Sequence, residues 1–272
     1  MKKISKIIMA LGLVTSLVLA GCGNSNAGGT AQTPAQPPAP VETKEILVSA
    51  AASLNKSMEE VQKKFNEKNP NIKLTFSFGS SGTLQQQIEQ GAPADIFIPA
   101  GQKQIDTLNG KNLLVKESIV NLLLNDLVLV AGKDNQDITK VEDLTKDSIK
   151  QIGIGTPETV PAGQYGKEAL TTLGLWDKLN SKYVQAKDVT AVLNYVETGN
   201  TEAGIVYKSD AQGSDKVKVV ATFPADSHKP IVYPGAIIAA TKNKEAAQTF
   251  LDYLKSAEAQ QIFNNYGFSS PK

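Results

Sequence analysis

The chain has no arginine, one histidine and one cysteine among its 272 residues. Its 28 basic residues are all lysines, set against 27 acidic residues, so neither a large basic excess nor an arginine-rich face is available to bind nucleic acid. An anion site must likewise do without the two-pronged guanidinium clamp. The lone cysteine excludes an internal disulfide and a cysteine metal cluster, and with only one histidine it also excludes a zinc site of the usual ligand set.

The single histidine also limits the hydrolytic chemistries that are open to the chain. A Ser-His-Asp enzyme would have to use His228, which lies in a polar segment typical of a surface turn, and the chain has no Gly-x-Ser-x-Gly elbow. Neither a P-loop nor a dinucleotide fingerprint is present. Ser53 and Lys56 match the Ser-x-x-Lys pattern of penicillin-recognising enzymes, although the companion Ser-Asp-Asn and Lys-Thr-Gly patterns are missing. A serine acyl-enzyme built on this pair stays open as an alternative.

The first 22 residues have the pattern of a bacterial lipoprotein leader. Lys2, Lys3 and Lys6 precede an apolar stretch at 7–19 that is too short to span a bilayer. Leu19-Ala20-Gly21-Cys22 matches the lipobox, in which the cysteine is acylated and the chain is cut before it. We predict a signal peptide at 1–21, lipid on Cys22, and a protein that works outside the cytoplasmic membrane. An ordinary signal peptide with a chance cysteine is the alternative.

Residues 22–43 are predicted to form a flexible linker that holds the folded part off the membrane. This segment is rich in Gly, Ala, Gln and Pro and too poor in apolar residues to bury a core. Loss of the three leader lysines leaves 25 basic residues against 27 acidic ones, a net charge of −2. No apolar stretch long enough to be a transmembrane helix follows the leader.

Strand and helix patterns alternate over the remaining residues. Helical spacing of apolar residues separates short apolar runs, which is typical of an α/β fold with mainly parallel sheets. In such sheets, ligands bind at the carboxyl ends of the strands, next to the starts of the following helices. The strands are predicted at 45–50, 72–78, 95–98, 126–131, 152–154, near 184, and at 203–207, 217–221 and 231–240.

Four predicted helix starts follow directly after strands and are candidate anion sites. Free backbone amides and a partial positive charge make a helix start favourable for an anion. The alternative is that Ser53, Ser80 and Asp188 are only N-caps, each contributing about 1 kcal/mol to its helix. Tyr207 ends a strand, where its hydroxyl either faces the same cleft or packs in the core. The four starts are at Ser53, at Ser80 with Ser81, at Pro161-Ala162-Gly163, and at Asp188 with Val189.

Six segments, in order and similarly spaced, resemble the molybdate-binding proteins of ABC importers. The resemblance extends over about residues 45–268. Gly82 stands where a third serine is familiar in that family, and Gly79 replaces another small residue. The segments are Val48-Ser-Ala-Ala-Ala-Ser-Leu54, Phe78-Gly-Ser-Ser-Gly-Thr-Leu84, Gly91-Ala-Pro-Ala-Asp-Ile-Phe-Ile98, Val160-Pro-Ala-Gly-Gln-Tyr-Gly-Lys-Glu-Ala-Leu170, Gly204-Ile-Val-Tyr-Lys-Ser-Asp210 and Val219-Val-Ala-Thr-Phe-Pro-Ala-Asp-Ser-His-Lys229.

The resemblance implies a two-lobe, type II periplasmic-binding fold. Lobe 1 would comprise 44–124 with 231–272, lobe 2 would comprise 125–230, and two crossings near 122–126 and 228–233 would form the hinge. The resemblance further implies a monomeric, non-enzymatic receptor that needs no cofactor and passes its ligand to a membrane permease.

In that family a tetrahedral oxyanion is held between the lobes by neutral hydrogen bonds. Carried over by position, the ligands are the hydroxyls of Ser53, Ser81 and Tyr207 and the backbone amides of Ala162 and Val189. The expected ligand is molybdate, and tungstate with it. Receptors for sulfate or phosphate remain the alternative among binding proteins, because sequence does not fix the size of the cavity.

Overall fold

Ten strands and eight α-helices alternate along residues 43–271, which are the residues that the computed structural model describes. The predicted leader at 1–21, Cys22 and the predicted linker up to residue 42 lie outside the described residues. The strands are β1 (Lys44–Ala51), β2 (Ile72–Gly79), β3 (Ile96–Ile98), β4 (Val120–Asn125), β5 (Leu127–Gly132), β6 (Ile152–Gly155), β7 (Tyr183–Ala186), β8 (Ala203–Tyr207), β9 (Val217–Thr222) and β10 (Ile231–Ile237). The helices are α1 (Asn55–Lys68), α2 (Ser81–Glu89), α3 (Gln102–Gly110), α4 (Pro161–Thr172), α5 (Val189–Glu197), α6 (Lys208–Gln212), α7 (Lys244–Leu254) and α8 (Ala257–Asn265).

The strands form two five-stranded sheets. Their orders are β2-β1-β3-β10-β4 and β7-β6-β8-β5-β9. In each sheet four strands run in one direction, and the strand that runs against them is β10 in the first sheet and β5 in the second. The predicted α/β class with mainly parallel strands is confirmed.

The chain crosses between the sheets twice. Asp126 alone separates β4 from β5 at the first crossing, and residues 223–230 separate β9 from β10 at the second. The strand that follows each crossing is the one that runs against its sheet. The lobe boundaries implied by the resemblance, 44–124 with 231–272 and 125–230, stay a prediction.

Apolar burial holds the helices on the sheets. Met58, Val61 and Phe65 recur at helical spacing on α1 and are fully buried, and each such side chain contributes roughly 1.5–3 kcal/mol to stability. The ring of Phe65 meets that of Phe250 on α7 edge to face, with centroids 5.0 Å apart. Helix α7, the second-last helix, therefore packs against α1, beside the first sheet.

A close backbone approach places the start of α4 against the end of β6. A Cβ atom at Gly163 would lie 1.8 Å from the carbonyl oxygen of Gly155, so only glycine fits there. This contact brings the first turn of α4 to the carboxyl edge of the second sheet.

Three elements escaped prediction and one prediction was too long. The strand predicted at 231–240 ends at Ile237, because a turn follows in which the Thr241 amide donates to the carbonyl of Ile238. The missed elements are β4, α3 and the five-residue helix α6. Of the nine residues of α3, only Gln104, Ile105 and Leu108 are buried, which leaves a weak apolar pattern. Within residues 43–271, every helix is too short or too polar to span a membrane.

Candidate functional site

A small cavity lies where strands of both sheets end. Because parallel strands place the helices that follow them at one edge, residues far apart in sequence meet there. All five residues of the predicted ligand set line it. They are Ser53 just after β1, Ser81 at the first position of α2, Ala162 at the second position of α4, Val189 at the first position of α5, and Tyr207 at the end of β8.

Two helix starts present backbone amides to this cavity. The first residues of an α-helix have no acceptor within the helix for their N–H groups. Ala162 and Val189 are such residues, and they are 0% and 4% exposed. The helix dipole adds roughly half a positive charge at each start. These amides are suited to an anion without any cationic side chain.

Tyr207 contributes a buried hydroxyl. The residue is 1% exposed, and its oxygen has no hydrogen-bond partner among the described residues. Burial, with smaller contributions from Tyr233 and Tyr165, raises the pKa of the phenol well above its usual range, so that it keeps its proton. Leaving such a group unpaired costs about 1–3 kcal/mol. A ligand oxygen in the cavity would relieve that cost.

The two serines also have protein partners that leave a proton to donate. The Oγ of Ser81 accepts a hydrogen bond of 2.9 Å from the backbone amide of Ala100. The Oγ of Ser53 lies 2.9 Å from the hydroxyl of Tyr233. Since the Ala100 amide can only donate, the hydroxyl proton of Ser81 is free for the cavity.

Charge is nearly absent from the lining. Among the described residues that line the cavity, Asp188 is the only charged one. Its carboxylate accepts a hydrogen bond of 2.8 Å from the Ala191 amide, which caps α5. The cavity therefore offers neutral donors and the starts of two helices rather than an ion pair.

The N-cap interpretation holds for two of its three residues. Ser80 accepts from the Thr83 amide at 3.3 Å, and Asp188 caps α5 as described. For Ser53 the interpretation is wrong, because Ser53 lies within a 3-10 turn, Ala52–Leu54, and α1 begins only at Asn55 without a side-chain cap. The hydroxyl of Ser53 is thus not used by the helix it precedes.

Gly82, on α2, contacts the loop before α4 beside the cavity. Its amide donates to the carbonyl of Thr159 at 2.9 Å, and the Ser80 hydroxyl donates to the same oxygen at 3.1 Å. A Cβ atom at Gly82 would stand 2.5 Å from that oxygen. At Gly79, the other departure from the family pattern, the nearest atom to an added Cβ belongs to Leu84 at 3.5 Å, so there is room.

The enzymatic alternative is not supported by the positions of its residues. The ammonium of Lys56 donates to the carbonyl of Gly213 at 2.7 Å, and the hydroxyl of Ser53 bonds with Tyr233 instead. His228 is absent from the lining, and its Nδ1 is 2.7 Å from the carbonyl oxygen of Lys229. The described residues also contain no group of three or more His, Cys, Asp and Glu side chains that could hold a bare metal ion.

A wider groove lies beside the cavity, and Ala52, Ser53 and Asp188 line both of them. Long polar side chains of α1 and α5, such as Lys56 and Asn194, line much of it. A small ion in this groove would be contacted on few sides, so the smaller cavity is the better candidate site.

Sequence reasoning missed two residues behind the cavity, Tyr233 and Asn125. Tyr233 is 0% exposed in β10, and its hydroxyl contacts both Ser53 and the side-chain amide of Asn125. Neither residue follows a strand or starts a helix, so the pattern that pointed to the other residues gave no signal here.

Two sheets joined by two crossings, with one small donor-lined cavity between them, define a two-lobe solute-binding protein. The chain belongs to the family of bacterial extracellular solute-binding proteins, whose model matches residues 46–269.

Comparisons with individual proteins agree with this class. The chain is 41% identical to the "Putative ABC transporter substrate-binding lipoprotein YvgL" of Bacillus subtilis, over 99% of each chain. It is also 41% identical to the "Molybdate-binding protein ModA" of Haemophilus influenzae, over 99% of this chain and all of the relative. A solved structure, the "substrate binding domain of putative molybdenum ABC transporter from Clostridium difficile", is 45% identical and superposes with a TM-score of 0.68, covering 85% of this chain and all of that one.

Proposed function

We propose that the protein is the extracytoplasmic substrate-binding lipoprotein of an ABC importer, and that it binds molybdate, and tungstate with it, in the small cavity where strands of both sheets end. One observation carries the proposal: hydroxyls and helix-start amides converge on a single small cavity that has no cationic side chain. In this proposal the ligands are Ser53, Ser81, Ala162, Val189 and Tyr207.

Neutral donors suffice to bind a doubly charged tetrahedral anion. Each hydrogen bond to a charged group contributes about 1.5–3 kcal/mol, and five groups surround the ion. A fully ionised oxyanion has only acceptors to offer, which matches the lining. An anion that keeps a proton, such as hydrogen phosphate, would bring a donor to a cavity that is dominated by donors.

The relatives support the transport role and the location. The match to the Haemophilus protein and the Clostridium domain favours molybdate as the ligand and an ABC permease as the partner. The Bacillus relative is named a lipoprotein, which supports lipid on Cys22. In the proposed cycle no reaction is catalysed: the two halves close on the ion by a hinge motion, and the permease recognises the closed, monomeric form.

Calorimetric titration with molybdate, tungstate, sulfate and phosphate tests the ligand. We expect heat and saturation with molybdate and tungstate, weaker binding of sulfate, and none of phosphate. Sulfate is the sharpest competitor because it has the same charge and shape in a smaller size. Sulfate binding as strong as molybdate binding would overturn the assignment.

A further inference from the structure

A chain of hydrogen bonds runs from the first crossing to Ser53. The backbone amide of Asp126 donates to Oδ1 of Asn125 at 2.9 Å. The Nδ2 of Asn125 donates to the hydroxyl of Tyr233 at 3.3 Å and to Oγ of Ser209 at 2.9 Å. Tyr233 in turn lies 2.9 Å from Oγ of Ser53. These hydrogen bonds connect β4, which precedes the first crossing, and β10, which follows the second crossing, to the cavity.

Each bond in this chain has a determined direction. The Asp126 amide can only donate, so the oxygen of the Asn125 side chain faces it and the NH2 group faces Tyr233. Burial raises the pKa of Tyr233 well above its usual range, so the phenol keeps its proton. Among the described residues, its two hydrogen-bond partners are Asn125 Nδ2, which only donates, and Ser53 Oγ. Tyr233 therefore donates to Ser53.

The direction of the last bond decides what Ser53 can do. If Ser53 donated to Tyr233, its lone pairs would face the cavity and repel an anion. Because Tyr233 donates to Ser53 instead, the hydroxyl proton of Ser53 does not point toward Tyr233. Ser53 can therefore donate this proton to a ligand in the cavity. The Ala100 amide has the same effect on Ser81.

We propose that Tyr233, oriented by Asn125, is a positioning residue that makes Ser53 a hydrogen-bond donor to the bound oxyanion. The inference rests on the proposed function, since it needs an anion at Ser53. Selection for a fully ionised anion is then set partly by side chains that never touch the ion.

A double-mutant cycle with sodium molybdate tests the proposal. Tyr233→Phe removes the donor and keeps the ring, which packs against Tyr207 and Phe268 at centroid distances of 5.8 and 5.4 Å. We expect Ser53→Ala to raise the dissociation constant by about tenfold or more, and Tyr233→Phe by about fivefold or more. In the Ser53→Ala background, Tyr233→Phe should change it by less than about twofold, because its effect passes through Ser53.

A purely structural role for Tyr233 predicts a different result. The two losses would then multiply in the double variant, which would overturn the inference.

Ser209→Ala is the matched control, since it removes the other partner of Asn125 and leaves Tyr233 and Ser53 intact. We expect its affinity to match that of the wild type, and a loss equal to that of Tyr233→Phe would also overturn the inference. If the wild-type protein fails to bind molybdate, the proposed function itself is refuted. If the wild type binds molybdate but the losses of the two single variants multiply in the double variant, only the role of Tyr233 is refuted.

Discussion

The hydroxyl of Tyr207 is buried without a hydrogen-bond partner among residues 43–271, which is unusual for a folded protein. Its ring packs against that of Tyr233, with centroids 5.8 Å apart, so the side chain cannot simply turn to find water. The unpaired hydroxyl lowers the stability of the fold at this position, but it leaves a hydrogen-bond donor available to a ligand. A group held in that way is expected to act on a ligand.

Replacing Tyr207 with Phe should therefore separate binding from stability. We expect molybdate binding to weaken by about 1.5–3 kcal/mol, while the free energy of unfolding without ligand does not fall, because the lost hydroxyl had no partner. Calorimetry and urea unfolding measure the two quantities. Tyr253→Phe is the control: its hydroxyl bonds to Glu258 at 2.9 Å outside the cavity lining, so it should reduce stability and leave binding unchanged. Unchanged binding in Tyr207→Phe would remove Tyr207 from the site.

Asp210 gives the stability a pH dependence. Burial raises the pKa of its carboxyl from 3.8 to about 7, against the lowering by the Tyr207 backbone N–H and Lys56, and Asp188 adds to the rise. The folded protein thus holds this proton more tightly than the unfolded chain does. The resulting stability is complete below the unfolded pKa and is lost as the pH rises through about 7.

We expect Asp210→Asn, which cannot titrate, to gain stability relative to wild type as the pH rises. Between pH values near 4 and near 8, the difference in the free energy of unfolding should shift by about 1–4 kcal/mol in favour of the variant. Urea unfolding of both proteins at several pH values measures this shift. Parallel curves for the two proteins would show that Asp210 has an ordinary pKa in the folded state.

At the scale of elements, the start of α2 meets the loop before α4. The Gly82 amide and the Ser80 hydroxyl share the carbonyl of Thr159, which joins the two halves directly beside the cavity. A Cβ atom at Gly82 would meet backbone atoms of Thr159, so a side chain there cannot be accommodated by a change of rotamer.

Gly82→Ala is therefore expected to weaken molybdate binding by about tenfold or more, because the two halves must separate to admit the methyl group. Gly79→Ala is a matched control on the same segment, since its Cβ would have room. Both variants would be titrated with molybdate. Equal affinities in the two variants would show that the contact with Thr159 is not needed for binding.

The patterns that predict strands and helices also explain how much of the site could be predicted from the sequence. Apolar runs predicted most strands, and helix starts after strands predicted four parts of the cavity, because parallel sheets bring such starts together. The cap assigned to Ser53 failed because a 3-10 turn intervenes before α1, and periodicity cannot reveal such a turn. Tyr233 and Asn125 could not be predicted, because their role depends on the pairing of β4 with β10, whose partners are far apart in sequence.

At the scale of the whole molecule, the proposed lipid on Cys22 would connect the receptor to its membrane. The chain has no other cysteine, so the state of one thiol reports directly on lipidation. We expect mass spectrometry of the protein purified from its own membranes to find an N-terminal peptide that begins at Cys22 and carries lipid.

The same preparation, once denatured, should not react with a maleimide. Glu59→Cys, which adds a cysteine at an exposed position of α1, should react once per molecule and serves as the positive control. A free, labelled Cys22 in the wild-type protein would show that the leader is an ordinary signal peptide.

The absence of a cationic side chain from the described lining of the cavity has an electrical consequence. In the proposed function, capture of a dianion makes the receptor more negative by two units, and because no cation lies beside the ion, the field around the loaded cavity stays negative. The electric field of these two added charges extends about 8–10 Å through physiological salt before it is screened. In the proposed cycle, a permease that docks over the cleft could therefore distinguish a full carrier from an empty one by its field as well as by its shape.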